Sequence, residues 1–244
     1  MSLALKLILA PVLVAQAVST RRRAAVLPEA AGPRTGRIGQ GGAALRLLIA
    51  GDSSAAGVGV AHQELALAGQ LARALHARIG RPVRWSLHAR SGLTTLQVFD
   101  LLRAASPPPA DVAVVVSGVN DVTALVPVQR ALRQRAALAD WLLGQGKARH
   151  VVFAPLPPLH RFPLLPEPLR RVLGDDARRH DAALARWAAT RADVSHTAID
   201  LELGPEHMAG DGFHPGAPVY GACGEAIAAH ISRLADGVPL MRAR

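Results

Sequence analysis

From Leu45 onward the chain alternates short apolar runs with longer amphipathic stretches, and this alternation restricts its architecture more than any other feature. The runs are Leu45–Ala50, Pro82–Ala89, Asp111–Gly118, Ala148–Pro155 and Val194–Asp200. Each reads as a short strand, and Asp111–Gly118 is the clearest buried one among them. Between them lie helical patterns. Leu67, Leu71 and Leu75 recur at four-residue spacing, and Gly80 follows as a stop. A second pattern places Leu96, Phe99 and Leu102 on one face. A third starts at Pro127 and stops at Gly144. A fourth runs to Thr190 after a Pro-rich stretch, and a fifth covers Pro215–Asp236. Five strands joined by helices predict an α/β fold with a five-stranded parallel sheet covered on both faces. Ligand sites of such sheets lie beyond the carboxyl ends of the strands.

The polar clusters fall at those ends. "GDSS" follows the first strand, "ARSGLTT" around Gly92 the second, and "SGVND" the third. "DGFHP", Asp211 to Pro215, lies between the fifth strand and the closing helix. Each alone reads as turn or helix-cap chemistry. All four together open onto one edge of the sheet.

In that combination the chain resembles the SGNH, or GDSL-type, family of serine esterases and lipases. The blocks that carry the resemblance are "GDSSAAG", Gly92 in "SGLTT", "GVND" and "DGFHP", within residues 45–235. The family's usual leucine after the nucleophile is Ser54 here. The resemblance implies a flavodoxin-like three-layer α/β/α sandwich. It makes Ser53 the nucleophile, His214 its base and Asp211 the carboxylate that fixes the imidazole tautomer. It assigns an oxyanion hole to the Ser53 N–H, the Gly92 N–H and the Asn120 side-chain amide. Asp52 and Asp121 are expected to support these loops. "GDSSA" lacks the second glycine of G-x-S-x-G, which disfavours the α/β-hydrolase elbow.

The stretch after the fourth strand, "PLPPLHRFPLLPEPLRRVL", is apolar and stiffened by proline. Leu156 and Phe162 within it are the expected substrate-binding residues. The implied activity is hydrolysis of small-molecule or lipid esters with apolar acyl groups. Carbohydrate acetylesterase, thioesterase and acyltransferase chemistry on the same triad remain alternatives, as does an inactive binding module. His160 and His207 are the other histidines placed near the site.

The chain has one cysteine, Cys223, in a helical pattern, which reads as a buried thiol. It has no CxxC or HExxH spacing, so no metal or cofactor is expected. The net charge is +10, and half of it lies in the first 40 residues, where Glu29 is the lone acid. Basic residues are not interleaved with aromatics on the body, which argues against nucleic acid.

Residues 1–20 form an apolar segment, 21–44 a basic Gly/Pro-rich linker or extended surface arm, and 45–244 the hydrolase domain. Leu3–Val18 is apolar except for Lys6 and Gln16. As a helix it would reach about 24 Å, short of a bilayer core. Followed by Arg21–Arg23, it reads as a helix that holds the body at the cytoplasmic side of a membrane surface. A cleaved signal, placing the protein in the periplasm or outside the cell, and a helix packed on the body or a partner are the other readings.

Overall fold

The structure, a computed structural model, describes residues 3–145, 147–199 and 204–237, without the side chains of residues 3–6 and 235–237. Helix α1 (Leu3–Arg23) precedes a short strand β1 (Thr35–Ile38). The alternating body then runs β2 (Leu45–Gly51), α2 (Ser53–Ala56), α3 (Leu67–Ile79), β3 (Val83–Ala89) and α4 (Thr95–Ala105). It continues with β4 (Val112–Val116), α5 (Val119–Thr123), α6 (Val128–Gly144) and β5 (His150–Phe153). It closes with α7 (Leu169–Ala188), β6 (Val194–His196) and α8 (Ala217–Gly237).

The sheet order is β1-β3-β2-β4-β5-β6. Strands β2 to β6 are parallel, and among themselves they take the flavodoxin-like order 2-1-3-4-5. Residues alternate between two cores. Leu48, Ala50, Ala113, Val115 and Phe153 face α4, α6 and α7. Leu47, Ile49, Val112, Val114 and Val152 face α3 and α8. The result is a three-layer α/β/α sandwich.

Among the described residues the sheet has six strands rather than five. The sixth, β1, is antiparallel to β3, pairing Thr35 with Ser86 and Ile38 with Val83. It arises within residues 21–44, so that segment is an extended arm paired to the sheet edge rather than a free linker. The arm is anchored by side chains. Gln63 donates to the carbonyls of Ala30 and Ala56, Arg34 donates to Ala89 O, and the Glu29 carboxylate accepts the Ser91 N–H at 2.7 Å. The fifth parallel strand stops at His196; Asp200, its expected end, lies outside the described residues.

Helix α4 is rotated from the expected stripe. Thr95, Val98 and Leu102 are buried, whereas Leu96 is 45% exposed. The cause is polar. The Asp121 carboxylate accepts both the N–H and the hydroxyl of Thr95, which draws that residue inward and turns Leu96 out. Phe99 stays at the margin, against Trp141 and the Arg103 guanidinium.

Asp121 also receives Arg135 of α6 at 3.1 Å, and both side chains are almost wholly buried. Removing one member of a buried pair strands the other in low dielectric. Arg135→Met is therefore expected to cost about 3–5 kcal/mol of unfolding free energy in urea titration. A cost under about 1 kcal/mol, the scale of a surface pair, would contradict this role.

Candidate active site

Strand β2 is central, and the chain leaves it first toward β3 and then crosses to β4 on its other side. The crevice at this reversal is where the polar blocks gather. Gly51 ends β2 beside Val116, and a Cβ there would stand 2.1 Å from Val116 O. Only glycine lets the two strand ends approach this closely. Asp52 then caps α2 by accepting the Ser54 N–H at 3.0 Å. Ser53 opens α2, so its N–H is one of the donors that a helix start leaves without an intrahelical partner.

His214 reaches Ser53 from the opposite loop. Its Nε2 lies 3.0 Å from Ser53 Oγ, and its Nδ1 lies 2.5 Å from Asp211 Oδ2. The other oxygen, Asp211 Oδ1, accepts the N–H groups of Phe213 and His214. Burial alone would raise the Asp211 carboxyl. The His214 ring, these two N–H bonds and the charge of the imidazole carry it below its ordinary value instead. Phe213 packs edge-on against the imidazole, and Phe162 edge-on against Phe213. Tyr220 of α8 donates to Val58 O at 2.7 Å, tying the helix that follows His214 to the loop that follows Ser53.

The expected oxyanion donors sit on the neighbouring strand ends. Gly92 has φ +81°, a left-handed conformation that favours glycine, and the space on its Cβ side is open. The Asn120 amide donates to Leu93 O at 3.1 Å and to Asp52 Oδ2 at a longer 3.4 Å. One side chain thus joins the ends of β2, β3 and β4.

An apolar cavity of about 100 Å³ opens at the Ser53–His214 pair and extends to Cys223 and Ile227 of α8. Leu156 and Phe162, the expected substrate-binding residues, both line it and are themselves nearly buried. Burial pushes the Cys223 thiol up to about 12, so it remains protonated, as a structural thiol does. Neither His160 nor His207 lines the cavity. His160 lies beside Arg178, and His207 Nδ1 accepts the Gly204 N–H. No group of His, Cys, Asp and Glu side chains suited to a metal ion occurs among the described residues.

Residues 49–222 match the model of the GDSL-like Lipase/Acylhydrolase family. The chain belongs to this family. It is 33% identical over 190 residues to a GDSL-like esterase of Mycobacterium tuberculosis, a match covering 72% of this chain and 58% of that protein. The chain therefore spans less than two thirds of that relative. Its fold is similar to that of a lipase from a goat rumen metagenome, with a TM-score of 0.61 at 18% identity over 76% of this chain and 96% of the other. It is also similar to an acetylxylan esterase of Geobacillus stearothermophilus, with a TM-score of 0.52 at 18% identity over 83% and 99%.

Several supports of this GDSL-type site escape a reading of motifs. Glu29 holds the Ser91 N–H next to Gly92 from the arm; its isolation among basic residues was the one available signal. Asp181 of α7 accepts the Leu156 N–H and pairs with His196, which fixes the start of the cavity wall. Helical spacing gives no hint of that reach.

Asp52 is fully buried, and burial, reinforced by the nearby Asp121 charge, pushes its carboxyl up to about 7 against the Ser54 hydrogen bond. Between about pH 4 and 7 the folded state then holds a proton that the unfolded chain has released. This contribution to stability falls as pH rises through that window. Relative to Asp52→Asn, the wild type is expected to lose stability from pH 5 to pH 8, measured as paired urea midpoints. A constant gap between the two proteins would show that Asp52 does not titrate there.

Proposed function

We propose that the protein is a serine hydrolase that cleaves esters of apolar acyl groups through an acyl-enzyme intermediate, working at a membrane surface. One observation carries the chemistry: Ser53 Oγ, the two ring nitrogens of His214 and Asp211 form an unbroken hydrogen-bonded line, 3.0 and 2.5 Å, at the mouth of an apolar cavity. A serine hydroxyl is a weak nucleophile without a base in contact. Here Nε2 accepts the Ser53 proton as Oγ attacks the ester carbonyl, and Nδ1–H stays on Asp211. The carbonyl oxygen, now negative, is held by the N–H groups of Ser53 and Gly92 and by the Asn120 amide. Asn120 exchanges its longer bond to Asp52 for this role. Each such donor lowers the barrier by about 3–4 kcal/mol. Collapse expels the alcohol, which takes its proton from His214. A water activated by the same imidazole then releases the acid.

The acyl group is assigned to the cavity because Leu156, Phe162, Val219 and Ile227 offer it carbon and almost no hydrogen-bonding partners. At about 100 Å³ the cavity offers more apolar room than an acetyl group fills, which favours longer acyl groups over acetate. Each methylene that is buried in such a pocket contributes about 0.8 kcal/mol.

The test is hydrolysis of p-nitrophenyl acetate, butyrate and octanoate beside acetylated xylan. Butyrate is expected to exceed acetate in kcat/KM by about tenfold, the worth of two buried methylenes. Ser53→Ala is expected to lower kcat by about 10⁴-fold or more with little change in KM. Undiminished activity in Ser53→Ala would refute the nucleophile, and xylan deacetylation outrunning every p-nitrophenyl ester would refute the apolar acyl assignment.

A further inference from the structure

Helix α1 packs on the body by one narrow face. Leu13 lies against the core beside α7, Thr20 is buried, and Gln16 is clamped at both ends of its amide. Its Nε2 donates to Glu167 O at 2.6 Å, and its Oε1 accepts the Leu169 N–H at 3.1 Å. The opposite face is the anomaly. Leu7, Ile8 and Val14 are 66%, 74% and 63% exposed, and Val12 and Val18 are exposed beside them. At 100° per residue, Leu7, Pro11, Val14, Ala15 and Val18 fall in one arc with Ile8 and Val12 at its flank. A surface helix ordinarily turns polar residues to water. This one shows water an aliphatic face that ends at Arg21, Arg22 and Arg23, all exposed.

We infer that this face of α1 docks the protein onto an anionic lipid surface. The chemistry favours lipid over a protein partner. Protein interfaces draw on aromatic anchors and hydrogen-bonding groups, whereas this face is purely aliphatic from Leu7 to Val18. Aliphatic residues that enter the acyl boundary, followed by arginines at headgroup level, match an interfacial helix. The helix lies on the surface and does not cross it. Gln16 and Thr20 are committed to the body, and no described helix is long and apolar enough to span a membrane.

The docking has a consequence for the site. Gln16 grips Glu167 and Leu169, at the end of the stretch in which Leu156, Pro157, Pro158 and Phe162 line the cavity. The helix whose outer face meets lipid is therefore pinned by its inner face to the stretch that lines the acyl cavity. Resting on the ester-hydrolase reading, this makes esters held in the lipid surface, rather than soluble ones, the preferred substrates, and a lysophospholipid in vesicles is the probe for them.

The test uses the full chain and sedimentation with vesicles of phosphatidylcholine, with and without phosphatidylglycerol. The wild type is expected to bind the anionic vesicles and to be released by high salt. Replacing Arg21, Arg22 and Arg23 together by Gln is expected to weaken binding on the order of a hundredfold. Replacing Leu7, Ile8 and Val14 together by Ser is expected to abolish it. These residues are exposed, so both variants are expected to keep the wild-type melting temperature. Ser53→Ala is expected to bind as the wild type does, which separates docking from chemistry.

Wild-type protein that stays free of both vesicles overturns the inference, and equal binding to both overturns its anionic part. A concentration-dependent dimer lost in the Leu7, Ile8 and Val14 variant assigns the face to a second copy and also overturns it. Lysophospholipid hydrolysis on anionic vesicles is expected to fall in both α1 variants while p-nitrophenyl butyrate hydrolysis is unchanged. An unchanged lysophospholipid rate overturns the substrate half.

Discussion

A carboxylate with no access to water, Asp121, sets the frame on which this site is built. It accepts the N–H and hydroxyl of Thr95 and the guanidinium of Arg135, so the end of β4 is locked to the start of α4 and to the middle of α6. Such a charge is tolerated in the interior only while its donors stay in place. The constraint passes to the proposed oxyanion donor, because Asn120 is the preceding residue. With Asp121 fixed, the Asn120 amide is delivered to the gap between Leu93 and Asp52, where the other two strand ends meet.

Two more carboxyls illustrate how environment divides labour within one loop cluster. Asp211 is surrounded by N–H donors and an imidazole, which hold it ionised. Asp52 is wholly buried with fewer donors, and its carboxyl is pushed up to about 7. The first suits a partner that orients the His214 ring; the second suits a cap that locks the turn at Ser53. The pattern follows the general rule that paired carboxyls take different roles when their surroundings separate their titrations.

The body of the fold was legible because its signals are local. Buried parallel strands announce themselves as apolar runs, and Leu67, Leu71 and Leu75 mark α3 without ambiguity. The polar blocks that hold Ser53, Gly92, Asn120, Asp211 and His214 were legible after strands for the same reason, whereas the roles of these residues were implied by the family resemblance. Interactions made across the sheet were not. The strand β1 has almost no apolar pattern of its own and exists because the edge of β3 pairs with it. The inward turn of Thr95 follows from a carboxylate 26 residues away. The arm matters for similar reasons. Cutting the chain at residue 43 would remove β1 and the Glu29 bond at Ser91 together with α1, so such a truncation perturbs the site as well as the proposed docking face.

The central claim is that Ser53 is made nucleophilic by His214. It is tested most directly by reacting the folded chain with a fluorophosphonate and locating the adduct by peptide mass spectrometry. The account predicts one adduct, on Ser53, lost on unfolding and strongly slowed in His214→Gln. An adduct on the adjacent Ser54, or a labelling rate indifferent to His214, would contradict it.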